Sequence, residues 1–364
     1  MRPGPLRGPA FGTYASEDVG WLVKDLSDRE LEQPTGIRER AVQGGRAHYS
    51  ESLPIEYVPT TEYRELYISL LHEWASVVAL GVAMLGELIL ATRGREVVLV
   101  SLARAGTPIG ILLRRWFQAS HGLDLEHYSI SIIRDKGLDE EAVGWLQRSV
   151  GLERVVFVDG WTGKGAITAC LRRSVSELGR RGLVGLDPTL GVVADPAGVT
   201  PLCGTRRDIL IPSSCLNSTV SGLVSRTVHS SSLIGPGEFH GAKFYQSMRT
   251  DDLSANFLDV VAGSFPARAE LPAPALVAPD DRGLKACRQL ARRLQLADLN
   301  LIKPGIGEAT RVLLRRGPER LLLRDPAERT VQHLVLLAAD RQVPVDIDPG
   351  LPFEAVGIIR AVAG

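Results

Sequence analysis

Residues 155–165 read VVFVDGWTGKG, four apolar residues followed by an aspartate and then by glycine-rich turn residues. Such an unbroken apolar run predicts a strand buried on both faces, as in a parallel sheet. Asp159 stands at the carboxyl end of this strand, and a helical pattern begins near Ala166. Because α/β folds bind ligands at the carboxyl edge of the sheet and helix N-termini bind phosphate, the sequence predicts a phosphate site at this junction.

The residue types of the loop suit a phosphorylated sugar. Gly163 and Gly165 let backbone amides approach a phosphate, while Thr162 and Lys164 offer a hydroxyl and a positive charge. Asp159 is placed to accept hydrogen bonds from ribose hydroxyls. The spacing differs from the GxxxxGK[ST] pattern, which excludes the nucleotide-triphosphatase type of phosphate loop.

A second loop of this kind lies upstream. The strand predicted at residues 96–101 runs into SLARAGTP at residues 101–108, which again leads into a helix. Arg104 can bind phosphate oxygens in a bidentate manner, Gly106 permits close backbone approach, and Pro108 suits a first helical turn. Two such loops about fifty residues apart are the specific signal, since either alone is weak.

The rest of the chain indicates two domains. It has 364 residues, 45 % hydrophobic and 23 % charged, with 42 basic and 42 acidic side chains, so bulk charge selects no partner. Strands and helices alternate up to a predicted strand at residues 209–211, which indicates an α/β fold with a parallel sheet. We expect a core domain at residues 1–262, in which residues 1–60 wrap the core and form a hood together with residues 200–250. A proline- and alanine-rich linker at 263–283 precedes an αβα sandwich at 284–364 that ends in a short helix.

The paired loops resemble type I phosphoribosyltransferases, in which a buried strand ends in two acids before a Thr/Gly-rich loop. Gly160 replaces the second acid here. The resemblance implies a phosphoribosyltransferase-like core and transfer of ribose 5-phosphate from phosphoribosyl pyrophosphate to an unknown base or other acceptor. Mg²⁺ would be held only through the substrate. The implied catalytic residues are Asp159, Arg104 and Lys136, and the implied substrate-binding residues are Ala105, Gly106, Thr107, Arg134, Gly160, Thr162, Gly163, Lys164 and Gly165.

Residues from Phe11 to about Asp259 also resemble one bacterial group found in tellurite-resistance operons, which has also been labelled the cysteine protease StiP family. That activity would need Cys203 or Cys215 together with His229 or His240. Cysteine is among the most buried residue types, so a packed structural thiol is the favoured interpretation and Cys215 is the alternative nucleophile. The four cysteines form no CxxC pair, which argues against a zinc site or a disulfide framework.

Residues 282–324 carry eleven Lys/Arg against three Asp/Glu. They contain KPGIGEAT at residues 303–310, a glycine-rich turn that opens a helix. The segment resembles the RNA-binding signature of Pelota-like and kink-turn-binding ribosomal proteins. That resemblance implies RNA contacts, and the residues it singles out are Lys303, Gly305, Gly307, Glu308, Thr310 and Arg316.

Three functions stay open at this point. The leading hypothesis is the Mg²⁺-dependent transferase coupled to RNA binding. The second is a non-catalytic nucleotide-sensing RNA-binding protein, which Gly160 favours, and the third is a cysteine protease centred on Cys215. We expect a cytoplasmic protein with no membrane partner and leave a homodimer open, because residues 1–5 lack a signal-peptide core and the apolar stretch Val77–Leu90 looks too short to span a bilayer.

Overall fold

The computed structural model describes residues 3–361, so the first two residues of the N-terminal segment and the last three of the chain lie outside the description. The helices are α1 (Thr35–Gln43), α2 (Thr61–Arg93), α3 (Thr107–His121), α4 (Glu140–Ser149), α5 (Ala166–Arg180), α6 (Ser254–Ala262), α7 (Arg282–Arg293), α8 (Ile306–Arg315) and α9 (Gln332–Asp340). The strands are β1 (Gly20–Leu22), β2 (Lys24–Asp25), β3 (Glu32–Gln33), β4 (Leu53–Pro54), β5 (Val98–Leu102), β6 (His127–Ile130), β7 (Ile132–Ile133), β8 (Gly137–Leu138), β9 (Val155–Trp161), β10 (Leu190–Ala194), β11 (Cys203–Thr205), β12 (Gly241–Ala242), β13 (Ile302–Pro304), β14 (Pro318–Leu323), β15 (Val345–Ile347) and β16 (Ala355–Ile359).

A six-stranded sheet of order β1-β6-β5-β9-β10-β11 forms the larger core, and every pair of neighbouring strands in it is parallel. The α/β prediction is thereby confirmed. Successive residues of β9 point to opposite faces, where Val156 and Val158 join one apolar cluster and Val155 and Phe157 join another. This two-sided burial explains why β9 is a continuous apolar run rather than an alternating one.

Helix α2 is the longest element and packs against the sheet with α3. The helix extends beyond the stretch Val77–Leu90 at both ends, and by length and composition its 33 residues are long and apolar enough to cross a membrane. The core helix of a soluble protein passes the same test, and 56 % of the most apolar window of α2 is buried. This burial is compatible with the expected cytoplasmic location.

Two strands of the sheet differ from expectation. The sixth strand is β11 at Cys203–Thr205, whereas residues 209–211, predicted as a strand, have no regular structure. The N-terminal segment does more than wrap the core, because β1 adds an edge strand beside β6. Both misjudged segments are only three residues long, too short for a periodic pattern to show.

The C-terminal unit has a four-stranded sheet of order β13-β16-β14-β15. Helix α7 packs on one face, where Cys287 and Leu290 meet Ile302 and Val356, while α8 and α9 cover the other. The short final helix was wrong, since Ala355–Ile359 forms strand β16 between β13 and β14. All five residues of β16 are buried, which suits its apolar sequence AVGII.

The two units share an interface built around α8. One apolar cluster runs from α2 and α3 into Ile306, Leu313 and Leu334 of the C-terminal unit. Asp208 reaches across, its Oδ1 accepting from the Ile306 amide at 3.1 Å and its Oδ2 from the Glu354 amide at 2.9 Å. These contacts hold the N-terminus of α8 against the carboxyl edge of the parallel sheet.

Candidate functional site

The main cavity has a volume of about 310 Å³ and lies where β5 and β9 end, with α8 as one wall. The ends of the two strands contribute Arg104, Asp159 and Trp161. Helix α1 and the segment after it form a second wall, and residues 213–227 form a third. The cavity thus depends on both units of the chain and lies at the predicted carboxyl edge.

Its lining is strongly cationic. Three carboxylates face it, from Glu39, Asp159 and Glu308. Against these stand eight basic side chains, namely Arg38, Arg104, Arg134, Arg226, Lys303, Arg311, Arg315 and Arg316. Enclosing so many like charges is unfavourable unless an anion compensates them, so the lining points to a negatively charged ligand.

Arg226 stands at the centre of one group of these cations. Its guanidinium donates to the carbonyl oxygens of Tyr49 and Ser52 and lies 5.3 Å from the centre of the Tyr49 ring. Arg38, 7 % exposed, donates to the Ser52 hydroxyl at 3.2 Å. Burial and the neighbouring Arg38 lower the pKa of Arg226 to about 9. Neither guanidinium forms an ion pair with a carboxylate of residues 3–361.

A second group surrounds Glu56, behind the cavity wall. Arg104, 5 % exposed, donates to Glu56 at 3.2 Å and to the Val224 carbonyl at 2.8 Å. Arg315 of α8 donates to the side-chain oxygen of Asn217. Burial opposes ionisation of Glu56, but Arg104 and Arg315 hold its pKa below the ordinary value. Burial and Arg104 lower the pKa of Arg315 while Glu56 raises it, so two guanidinium groups share one carboxylate on this wall.

Acidic and basic groups meet on the α8 side. Arg311 pairs with Glu308 and lies 4.5 Å from the centre of the Trp161 ring. Burial raises the pKa of Asp159 to about 6, and Asp159 accepts from the Gly160 amide at 2.8 Å. Burial lowers the pKa of Lys303 to about 7. Small changes of pH therefore alter the charge of this side.

The glycine-rich loop after β9 is not the open phosphate cradle that its sequence suggests. The Lys164 ammonium donates to the carbonyl oxygens of Leu299 and Ile302, and the Thr162 hydroxyl donates to Asp195. A Cβ at Gly163 would lie 2.9 Å from the Pro304 carbonyl oxygen. The C-terminal unit thus covers the loop, and five residues predicted to bind substrate lie outside the cavity lining: Gly160, Thr162, Gly163, Lys164 and Gly165.

The loop after β5 is placed closer to expectation, since Arg104 and Ala105 line the cavity. Gly106 instead packs against backbone of β5 and β9, and the buried Thr107 hydroxyl bonds Ser129 at 2.8 Å. Neither residue faces the cavity.

The turn between β7 and β8 carries Arg134 and Lys136, two residues that were both predicted to act on the substrate. Arg134 lines the cavity. Lys136 points away from it, and its ammonium lies 3.1 Å from Nδ1 of His229, so its predicted catalytic role is not supported by its position.

Three of the six residues assigned to RNA contact also face the cavity: Lys303, Glu308 and Arg316. The other three have packing roles. Gly305 faces Asp208, Gly307 packs on the indole ring of Trp161, and Thr310 bonds Nε2 of His333 at 2.8 Å. Part of the predicted phosphate site, including Arg104 and Asp159, and part of the predicted RNA loop therefore line the same cavity, although the sequence suggested two separate sites.

Sequence reasoning missed several lining residues. Arg311 and Arg315 could have been found, because with Glu308 they recur at helical spacing along the face of α8 that carries the signature. Arg38, Tyr49 and Arg226 carried no local signal, since they lie in segments without a motif and meet only through the tertiary fold.

The cysteines are all buried among the described residues. Cys215 is 0 % exposed and Cys203 is 9 % exposed, and burial raises the pKa of both thiols, that of Cys203 to about 11. His240 bonds the Ser131 hydroxyl through Nδ1 at 2.8 Å rather than a thiol. Ser214 and Leu216 line the cavity on either side of Cys215, whose own sulfur is turned into the core.

No cluster of three or more His, Cys, Asp or Glu side chains able to hold a metal exists within residues 3–361. The expected Mg²⁺ was to be held through a diphosphate substrate, so this observation does not test it.

Comparison with known proteins identifies two regions. Residues 12–262 match the family model described as tellurite-like stress resistance cysteine protease StiP, and residues 281–361 match the PELOTA RNA binding domain. The cysteine protease StiP of Acinetobacter baylyi is 34 % identical over 364 aligned residues, which cover 96 % of this chain and 94 % of that protein.

These names correct the functional hypothesis. The leading expectation of a phosphoribosyltransferase using phosphoribosyl pyrophosphate and magnesium is wrong, because the family and the relative are both named for an enzyme of another class, a cysteine protease. The cysteine protease alternative agrees with both names, although the general tendency of cysteines to be buried disfavours it. The resemblances to the tellurite-resistance group and to Pelota are confirmed. The chain belongs to the StiP family and ends in a Pelota RNA-binding domain.

Proposed function

We propose that this protein binds RNA in the cationic cavity, with its phosphates held by arginines from both units of the chain. The observation that carries the proposal is the meeting of Arg38, Arg104 and Arg226 with the α8 residues of the Pelota domain. The Pelota match favours RNA over other polyanions.

The energetics support an anionic ligand. Removing one partner of a buried ion pair destabilises a protein by about 3–5 kcal/mol, because the other charge is left buried without compensation. Arg226 and Arg38 have only neutral hydrogen-bond acceptors, and the neighbouring arginines repel the charge of Arg226. A phosphate group would supply bidentate, charge-assisted bonds to these guanidinium groups.

The proposal is tested by titrating a fluorescent single-stranded RNA at several salt concentrations. We expect binding that weakens with salt, and a log–log slope that falls by about 0.7 for each phosphate contact removed. Arg226→Gln and Lys303→Gln should each weaken binding at least tenfold. Arg148→Gln, on the exposed face of α4, is the matched control. Affinity that ignores both salt and the cavity variants would refute the proposal.

A cysteine peptidase activity is the second candidate, carried by the name of the family and of the relative. Cys215 is the nucleophile that fits best, because residues on both sides of it line the cavity. The buried thiol requires residues 212–218 to move before it can react, since the thiolate is the attacking form.

The peptidase candidate is tested with purified protein on an unfolded protein substrate, with and without RNA. Cleavage that Cys215→Ser abolishes and Cys203→Ser leaves intact would support it. Cleavage that survives Cys215→Ser would exclude this nucleophile.

Two structural proposals stand beside these. The parallel strand order and the loop at Arg104 support a phosphoribosyltransferase-like architecture for the core, without the transfer reaction. The division at residues 263–283 is supported by that segment's exposure.

A further inference from the structure

The positive charge of the cavity exceeds the negative charge that one internal nucleotide of an RNA strand carries. Eight basic side chains face three carboxylates around about 310 Å³. That volume is at the small end of ligand pockets, which span about 300–1,000 Å³, and so suits one nucleotide unit rather than a length of strand. An internal nucleotide brings a single phosphodiester charge, whereas a terminal phosphate monoester brings about two.

A neutral donor accompanies the cations. Thr227 lines the cavity, and its hydroxyl accepts from the Ser131 hydroxyl at 2.7 Å. Ser131 is fixed in turn by Nδ1 of His240 at 2.8 Å, and the His240 amide donates to Asp139 at 2.5 Å. With its oxygen already accepting, Thr227 has its own proton to donate, and no acceptor among residues 3–361 takes it. A phosphate oxygen is a suitable acceptor because it has no proton to compete.

We propose that the cavity binds the phosphorylated 5′ end of an RNA, with the terminal phosphates between Arg38, Arg226 and Thr227. This inference rests on the proposed RNA-binding function and adds the part of the RNA that is recognised. The concentration of charge in one cavity selects an end over a continuous strand, and it makes each added terminal phosphate favourable.

The test compares RNAs of one sequence that differ only at their ends: 5′-hydroxyl, 5′-monophosphate, 5′-triphosphate, 3′-phosphate and a covalently closed circle. We expect the 5′-monophosphate to bind at least tenfold more tightly than the 5′-hydroxyl form, and the 5′-triphosphate more tightly still. The circle should bind no better than the 5′-hydroxyl RNA. Adenosine 5′-triphosphate alone should compete much less well than the triphosphorylated RNA.

Variants assign the preference to the cavity. Arg226→Gln should reduce the ratio of 5′-monophosphate to 5′-hydroxyl affinity to near one. Thr227→Val should reduce it several-fold, and Thr227→Ser should restore it, because serine keeps the hydroxyl. Arg148→Gln should leave it unchanged.

The outcomes separate the two proposals. If no RNA binds, the proposed function fails together with this inference. If all linear forms and the circle bind equally, or if the 3′-phosphate is preferred, only the 5′-end inference is overturned. Competition by free adenosine triphosphate as strong as that of the triphosphorylated RNA would also overturn it, in favour of a free nucleotide.

Discussion

At the scale of a single residue, the buried Arg226 guanidinium suits the binding of an anion but does not favour the stability of the fold. Its hydrogen bonds go to the neutral carbonyl oxygens of Tyr49 and Ser52, while Arg38 and Arg104 add repulsion. A stable interior would pair such a cation or replace it with an apolar side chain. Its lack of an ion pair therefore agrees with the proposed anionic ligand.

Arg226→Met should consequently separate folding from binding. We expect the free energy of unfolding to stay the same or to rise by up to about 2 kcal/mol, because a poorly compensated buried charge is removed. RNA affinity should fall at least tenfold. Urea unfolding and RNA titration of the same preparation measure both, and a large loss of stability would show that Arg226 is structural.

The acid and the lysine beside α8 predict how binding depends on pH. Burial raises the pKa of Asp159 to about 6 and lowers that of Lys303 to about 7. As the pH falls from 8 to 5.5, Lys303 gains its charge first and Asp159 then loses its own. Both changes make the cavity more positive, so anion affinity should rise as the pH falls.

Sulfate is a suitable probe because its own charge is constant over this range. Calorimetric titration should show roughly tenfold tighter binding at pH 5.5 than at pH 8, on the order of one pKa unit of interaction. Lys303→Gln should remove the step near pH 7, and Asp159→Asn the step near pH 6. A flat profile in the unmodified protein would contradict this assignment.

At the scale of elements, helix α8 is part of the C-terminal unit, but one of its faces lines the cavity at the edge of the larger sheet. Its buried face packs into the C-terminal sheet, while Glu308, Arg311 and Arg315 face the cavity. Asp208 accepts from the amide that begins the helix, which satisfies a donor that has no partner within the helix. This carboxylate therefore positions a cavity wall from outside it.

Asp208→Ala should weaken both the interface and ligand binding. It leaves the Ile306 and Glu354 amides without their acceptor, which we expect to lower the free energy of unfolding by about 1–3 kcal/mol. RNA affinity should fall as α8 loosens. Asp208→Asn is the control, since its one remaining oxygen should restore part of both losses, and denaturant unfolding with RNA titration measures them.

Some elements of the fold and the site could be predicted from the sequence, and others could not. Strand β9 and the helix after it were recognisable because an apolar run followed by glycines leaves few alternatives. The Arg104 loop was found for the same reason. The covering of Lys164 by Leu299 and Ile302 could not be foreseen, because it depends on how two distant segments pack, and no local pattern encodes that. β16 was missed because five apolar residues fit a short helix as well as a strand.

For the molecule as a whole, the net charge is zero, although the basic side chains are unevenly distributed in the fold. The 42 basic and 42 acidic side chains cancel over the chain, yet basic groups dominate the cavity between the two units. Composition therefore excluded nothing about the ligand, and only the unequal charge of residues 282–324 hinted at it. The continuity of the core across the two units was likewise invisible in the linear sequence.

That continuity predicts cooperative unfolding. Because one apolar cluster extends from α2 to Leu334, the two units should unfold together in a single calorimetric transition. RNA should shift the whole transition upward, in proportion to the logarithm of its concentration. Two separate transitions, with only one responding to RNA, would contradict a shared core.

The contribution of α8 to the cavity also sets an order of events during synthesis. Arg38, Arg104 and Arg226 leave the ribosome long before residues 306–316, which complete the wall around them. A nascent chain therefore cannot complete the cavity until residues 306–316 have been translated. A chain truncated before residue 306 should therefore lack this wall of the cavity, and we expect it to lose the proposed ligand binding.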